Sequence, residues 1–320
     1  MTDANFPART TASQHSPAVA VLVPCFNEAA QIATVVRNFA KALPGSTVYV
    51  YDNNSADGTA HIARQAGALV RHEPLQGKGN VVRRMFADVD ADVYVLVDGD
   101  GTYDAASAPQ LIEKLQLEQL DMVNATRVAQ SDAAFRIGHR FGNRVLTGLV
   151  ASIFGKQITD MLSGYRVMSR RFVKSFPALA AGFEIETELT VHALELRIPI
   201  AEVATPYRER PIGSSSKLRP IHDGVRILRT IVALVREERP FKFFMAIALL
   251  LALLAILLGE SVVAEYFRTG LVPRLPTAVL ATGIMILAFL SGVCGLILDT
   301  VTRGRKEMKR LMYLLADSRR

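Results

Sequence analysis

The chain alternates short apolar runs with helical periodicities as far as about Arg239, then becomes almost wholly apolar. Ala18 to Val23 is an apolar run that stops at Pro24, the pattern of a buried strand. Ala29, Ile32, Val35, Val36, Phe39 and Leu43 follow at helical spacing. Val48 to Tyr51 predicts a second strand, closed by the turn-forming Asp52-Asn53-Asn54-Ser55. A helix through Ile62 and Ala66 comes next, then strands at Leu69 to Arg71, Val93 to Val97 and Met122 to Ala125. Strands alternating with helices predict an α/β domain: a mainly parallel, Rossmann-like sheet covered on both faces. Such sheets bind ligands at the carboxyl ends of their strands, which is where the polar clusters of this chain fall.

Beyond Arg219 the pattern changes. Ile221, Val225, Leu228, Val232 and Val235 form an apolar stripe at helical spacing, with Arg226, Arg229 and Arg236 on other faces. A basic amphipathic helix of this kind lies in a membrane interface or packs on the soluble domain. Two apolar runs follow, Phe243 to Leu258 (extending through Val263, past Glu260) and the uncharged Thr277 to Leu298. A bilayer core needs about 20 apolar residues per helix, so both predict membrane spans. Lys and Arg concentrate before the first span (Arg229, Arg236, Arg239, Lys242) and after the second (Arg303, Arg305, Lys306, Lys309, Arg310), while the loop between holds Arg268 and Arg274. The positive-inside rule therefore predicts an inner-membrane, multi-pass protein with its catalytic part and both termini in the cytoplasm. Ser291 and Gly295 make a small-xxx-small pair that would let helices approach closely, and a homo-oligomer through the spans is a further expectation.

The expected organisation is a disordered tail over 1–17, a catalytic domain over 18–218, an interfacial helix over 219–240, two transmembrane helices over 241–300 and a basic tail over 301–320. The net charge is +7, and its cations flank the spans, which favours an anionic lipid surface over nucleic acid as the partner. The two cysteines, Cys25 and Cys294, offer neither metal spacing nor a disulfide framework. Met1 to Pro17 lacks the apolar core of a signal peptide, in keeping with a cytoplasmic catalytic part.

The chemistry concentrates at the strand ends. Val93-Tyr94-Val95-Leu96-Val97-Asp98-Gly99-Asp100-Gly101 sets two carboxylates, one residue apart, at the end of an apolar strand, with glycines that let the backbone turn. Two hard oxygen ligands that leave room for water and phosphate suit Mg²⁺ or Mn²⁺ bound with a nucleotide, and such a metal would neutralise a leaving diphosphate. Pro24-Cys25-Phe26-Asn27-Glu28 ends the first strand, and Asp52-Asn53-Asn54-Ser55-Ala56-Asp57-Gly58-Thr59 ends the second. Gly77-Lys78-Gly79-Asn80 reads as a flexible loop carrying a cation, without the spaced glycine of a Walker loop.

Together these four segments resemble glycosyltransferase family 2, in the branch of dolichyl-phosphate mannosyltransferase and the bacterial polyprenyl-phosphate glycosyltransferases. The likeness runs from about Val19 to Leu218, and the two-span tail is similar to that of the bacterial members. It implies a GT-A fold, inverting transfer, a divalent metal, a nucleotide-sugar donor (UDP-glucose, UDP-N-acetylglucosamine or GDP-mannose) and a polyprenyl phosphate acceptor. By the same resemblance, Pro24, Phe26, Glu28, Asp52, Asn53, Asp57, Lys78, Gly99 and Arg127 would line the donor site, with Asp98 and Asp100 holding metal and diphosphate. Arg210 and Lys217 would clamp phosphate from a loop. Many family members have two acids where this chain has Asp52-Asn53. Asp160-Met161-Leu162-Ser163-Gly164-Tyr165-Arg166 adds a candidate catalytic or acceptor-positioning acid, Asp160, and a phosphate partner, Arg166. Phe183-Glu184-Ile185-Glu186-Thr187-Glu188 is either an acidic helix start or a second catalytic cluster.

Two other functions compete. A processive polysaccharide synthase would carry a Gln-x-x-Arg-Trp acceptor motif, and this chain has no tryptophan. A membrane-tethered, inactive nucleotide-sugar-binding protein would have no need of both Asp98 and Asp100.

Overall fold

The computed structural model describes residues 17–129, 158–208 and 220–317, together with Gly148. The expected N-terminal tail up to residue 16, and Arg210 and Lys217, lie outside the described residues.

The α/β part opens with strand β1 (Val19–Cys25), helix α1 (Ile32–Ala42), β2 (Thr47–Asp52), α2 (Thr59–Gln65), β3 (Leu69–His72), α3 (Lys78–Asp88), β4 (Val93–Leu96) and α4 (Ala108–Leu117). It continues through β5 (Met122–Ala129), β6 (Arg166–Ser169), α5 (Arg170–Ser175), α6 (Ile185–Leu196) and β7 (Ile200–Tyr207). The sheet order is β3-β2-β1-β4-β6-β5-β7. Neighbours are parallel except β6, which runs antiparallel to both β4 and β5. The sheet is thus mainly parallel, as the pattern predicted, with one reversed strand that the pattern did not reveal.

Successive side chains of a strand point to opposite faces, and β1 shows why its run is apolar throughout. Val21 and Val23 join Val35, Val36, Phe39 and Leu111 on the face covered by α1, α2 and α4. Ala20 and Leu22 join Met85, Phe86, Phe172 and Leu189 on the face covered by α3, α5 and α6. A strand buried on both sides has no polar position to alternate with.

Helix α7 (Pro220–Glu238) follows, then α8 (Pro240–Thr269) and α9 (Leu275–Asp317). Pro240 sits in the first turn of α8, where its missing N–H costs nothing, and Gly270 ends that helix at φ 69°. α8 and α9 are long and apolar enough to cross a membrane. Their outer side chains are exposed, as with Leu250 at 68% and Phe289 at 73%. The two pack against each other through the small residues of α9. Ser291 Oγ donates to the Phe244 carbonyl at 3.1 Å, and a Cβ at Gly295 would stand 2.9 Å from Phe244 Cβ. The small-xxx-small pair thus lets these two helices approach closely, as expected.

The basic tail continues the second long helix. α9 does not end at the membrane boundary: its 43 residues span about 65 Å at 1.5 Å per residue, against a bilayer core of about 30 Å. Its last turns dock on the catalytic domain. Tyr313 Oη donates to buried Asp121 at 2.5 Å, with the Arg171 guanidinium over its ring, and Arg310 donates to the Leu196 carbonyl at 2.9 Å. Arg305, Lys306 and Lys309 meet Glu195 and Glu238. Glu195, Glu238 and the Leu196 carbonyl thus answer these cations within the protein.

Candidate functional site

The site is built at the carboxyl ends of β1, β2 and β4, where the chain must leave the sheet. Gly99 is required there: a Cβ on it would lie 2.6 Å from Cys25 Sγ. Gly164 is required for a related reason, since its Cβ would stand 2.8 Å from Asp98 Cγ. These close approaches press the Asp98-Gly99-Asp100 turn between β1 and the loop before β6. Asp100 is buried, and its Oδ1 accepts from the Thr102 amide at 3.1 Å and the Thr102 hydroxyl at 2.6 Å, which fixes its orientation.

The thiol of Cys25 registers the charge of this corner. Its pKa is raised well above the usual thiol range, first by burial and then by Glu28, Asp52, Asp98 and Asp100 around it. Asp52 is buried at the end of β2. One oxygen accepts from the Ser55 amide at 3.2 Å and faces His72 at 3.7 Å. The other, Oδ1, is buried without a hydrogen-bond partner among the described residues. A buried orphan acceptor costs on the order of 1–3 kcal/mol, so a ligand N–H or O–H that reached it would be strongly held.

Lys78 is not on a flexible loop. It is the first residue of α3, whose amides at Gly79 and Asn80 are directed at the Ala181 carbonyl. Added side chains at Gly77 or Gly79 would collide with the backbone of Ala180 and Ala181, so the glycines serve this close packing. The Lys78 ammonium pairs with Asp98 at 2.5 Å and with the buried Glu186 carboxylate. Burial alone would depress its pKa, but Asp98 and Glu186 together raise it and keep it charged. Burial raises the Glu186 carboxyl, against the pull of Lys78.

Arg127 and Asp160, expected to act separately, form one unit. The guanidinium donates to both carboxylate oxygens, at 2.8 and 2.7 Å, and the Arg127 amide adds a third bond at 3.2 Å. Tyr207 lies 5.6 Å beneath the guanidinium, Tyr103 packs edge-on against Tyr207, and Glu202 holds the Thr159 and Asp160 amides. Tyr103, Tyr207 and Glu202 carry no motif signal. Glu202 stands out only as a carboxylate within an apolar strand.

Three expected site residues are engaged by the fold itself. Arg166 is fully buried and donates to the carbonyls of Ser163, Met161 and Glu186 and to the Thr190 hydroxyl. Burial lowers its pKa to about 10, and it braces the core rather than meeting a phosphate. Asn53 donates to the Glu73 and Leu75 carbonyls and accepts from the Gly77 amide, so its amide shapes the loop before α3. Asp57 accepts from the Ala29 and Thr59 amides and the Thr59 hydroxyl, stapling the loop after β1 onto the start of α2. That staple sets the positions of part-exposed Phe26 and buried Pro24 and Glu28. The acidic helix start also divides. Glu188 accepts from the Leu179 and Ala180 amides and Glu184 from the Gly182 amide, while Glu186 turns to Lys78.

For a divalent cation the chain offers Asp98 and Asp100. Among the described residues no group of three or more His, Cys, Asp or Glu side chains converges as a metal cage. Magnesium and manganese commonly take one or two protein carboxylates and complete their shell with water and phosphate, and this donor set fits that habit.

The model of the glycosyl transferase family 2 domain matches residues 20–176. The glycosyltransferase AglJ of Haloferax volcanii is 32% identical over 305 residues, covering 93% of this chain and 98% of its own. A dolichyl-phosphate hexose transferase of the same organism is 28% identical over 221 residues, covering 69% of this chain and 95% of its own. Among solved structures, glucosyl-3-phosphoglycerate synthase from Mycobacterium tuberculosis, in complex with Mn²⁺, UDP and glucosyl-3-phosphoglycerate, superposes with a TM-score of 0.56 at 23% identity. That match covers 69% of this chain and 79% of the other.

Proposed function

The chain belongs to glycosyl transferase family 2, and on that premise we propose that it transfers a single sugar, with inversion, from a nucleotide sugar to a polyprenyl phosphate at the cytoplasmic face of a membrane. One observation carries the acceptor. Ile231 of α7 packs on Met161, Val191 and Leu194, so this helix rests on the residue next to Asp160. A stripe flanking that contact, Val225, Leu228 and Val232, stays exposed at 45–47%. The helix thus has one broad apolar arc, part of it packed on the domain and part left free for a bilayer, and the acceptor side of the site rides on it. A lipid phosphate can enter while its chain stays in the membrane, which each buried methylene favours by about 0.8 kcal/mol. The dolichyl-phosphate acceptor in the name of the 28% identical relative supports the same class.

The chemistry follows from the residues present. Asp52 Oδ1 takes a donor hydrogen from the nucleotide. Asp98 and Asp100 would hold Mg²⁺ or Mn²⁺, which neutralises charge on the leaving diphosphate. The neighbour's Mn²⁺ and UDP support this use. Asp160 holds Arg127 aligned on Tyr207 to face the sugar phosphates. An oxygen of the lipid phosphate bonds to the anomeric carbon as the bond from that carbon to the nucleoside diphosphate breaks. A phosphate monoester with a second pKa of about 6 is largely dianionic at neutral pH, so no protein base has to take a proton. The docking of Tyr313 against Asp121 supports a hairpin whose two ends share the cytoplasmic side.

Purified protein incubated with polyprenyl phosphate and a panel of radiolabelled nucleotide sugars tests this reading. Label should move into the organic phase with one donor, only with lipid phosphate present, and should stop in EDTA. Labelling of a soluble sugar or protein at the same rate would refute it.

A further inference from the structure

We propose that Lys78 is an internal counter-cation that occupies Asp98 until a donor diphosphate draws it away, and that buried Glu186 is the residue that positions it for this exchange. The inference rests on the metal and donor roles given above to Asp98. Its basis is the geometry of three side chains from three elements. Lys78 opens α3, Asp98 follows β4 and Glu186 lies in the first turn of α6. The ammonium sits between the two carboxylates, with side-chain exposures of 10% for Lys78, 6% for Glu186 and 28% for Asp98. Asp98 is the most open of the three, so the ammonium holds the carboxylate that solvent and ligands can reach, from the side of the one they cannot.

A divalent ion and an ammonium cannot both take the same carboxylate oxygen at full strength. Metal binding to Asp98 therefore has to displace Lys78 from it. The displaced ammonium, still tethered to Glu186, is left with unused hydrogen-bond donors facing the place where the metal brings the diphosphate. A phosphate oxygen compensates the lost carboxylate; water in that buried corner does so poorly. Metal and nucleotide should therefore bind together, each removing the obstacle to the other, and Glu186 keeps the lysine within reach in both arrangements. Backbone packing of Gly77 and Gly79 against Ala180 and Ala181 holds the α3 start and the segment before α6 in register, so the tether has a fixed length.

The test uses the intact protein in detergent, with Mn²⁺ binding read by the paramagnetic resonance of the free ion. UDP and GDP binding in Mn²⁺ is read by calorimetry, and folding by the melting temperature. Lys78→Met should bind Mn²⁺ at least tenfold more tightly than wild type without nucleotide, and bind the preferred nucleoside diphosphate at least tenfold more weakly. Glu186→Gln should leave Lys78 to Asp98 alone and weaken Mn²⁺ binding without nucleotide. Lys78→Met/Glu186→Gln removes both buried charges, guards against a folding defect in the single variant, and should still exceed wild type in Mn²⁺ affinity. A merely structural lysine would lose both ligands together. Opposite movement of the two affinities supports the inference. Unchanged or weakened Mn²⁺ binding in both lysine variants overturns it alone, whereas a wild type that binds no Mn²⁺ with either nucleotide overturns the metal reading as well.

Discussion

Two charged clusters in this molecule use the same chemistry to opposite ends. At the strand ends, Glu28, Asp52, Asp98 and Asp100 surround Cys25, and Lys78 pairs with Asp98 and Glu186. At the junction with the membrane hairpin, Glu195 and Glu238 meet Arg305, Lys306 and Lys309. Among the described residues, carboxylates are in the majority at the first cluster and cations at the second. Strand ends with carboxylates in excess favour an incoming cation and whatever phosphate it carries. A junction whose acids are outnumbered has no such need, and its ion pairs tie three helices together. Burial of charge therefore does not by itself mark a site; the sign of the imbalance does.

The largest effect should come from the first cluster. Asp98→Asn or Asp100→Asn should lower transfer by about a thousandfold or more, the scale of losing a group that stabilises developing charge. Melting temperature and membrane retention should stay at wild-type values. Full activity in either variant would erase the distinction between the clusters.

Next comes the face proposed to link the site to lipid. Leu228→Asp puts a charge on the exposed stripe of α7. It should raise the KM for long-chain polyprenyl phosphate about tenfold, a cost of roughly 1.4 kcal/mol, and leave nucleotide binding unchanged. Equal loss of both would mean that the helix serves the fold rather than the acceptor.

The junction should respond in stability. Lys309→Met leaves two buried carboxylates facing each other and should cost about 3 kcal/mol, read as a lower melting temperature. Activity per folded molecule should persist.

The smallest effect is a pH dependence at the same place. Burial first, then Glu238, pushes the Glu195 carboxyl from 4.5 up to about 7, against the pull of Lys309. A carboxyl whose pKa is higher in the folded state stabilises the fold fully below its unfolded value, and that contribution is lost as pH rises through about 7. Glu238, which is lowered, acts at the acid end instead, where its contribution is lost as pH falls. The melting temperature should thus decline gently between pH 5 and 8, and Glu195→Gln should flatten the decline.

The sequence carried the frame of the fold because β1, β2, β4 and β5 hold apolar runs buried on one or both faces, while β3 is a short, largely exposed strand at the sheet edge. β6 escaped notice because four residues beginning with an arginine make no run, and that arginine is buried because carbonyls of the loop before it and of α6 converge on it. β7 was obscured by Glu202 and Pro206, residues that read as a loop until the strand is seen at the sheet edge. In the site, Asp98 and Asp100 were legible because a carboxylate pair after an apolar strand is a local pattern. The roles of Asn53, Asp57 and Arg166 were not, since the hydrogen bonds that occupy them are set by folding. Lys78 and Glu186 are 108 positions apart, beyond any local pattern. The docking of the basic end of α9 was hidden for a similar reason: its cations suit anionic lipid as well as they suit the carboxylates of α6 and α7.

The most direct test of the account is mass spectrometry of the lipid after a single incubation of the wild-type protein with its preferred nucleotide sugar and polyprenyl phosphate. The account predicts one new species, heavier than the lipid by a single hexose or N-acetylhexosamine residue and still carrying one phosphate, with the anomeric configuration inverted relative to the donor. A ladder of longer glycans, a diphosphate-linked product or an unmodified lipid beside a consumed donor would contradict it.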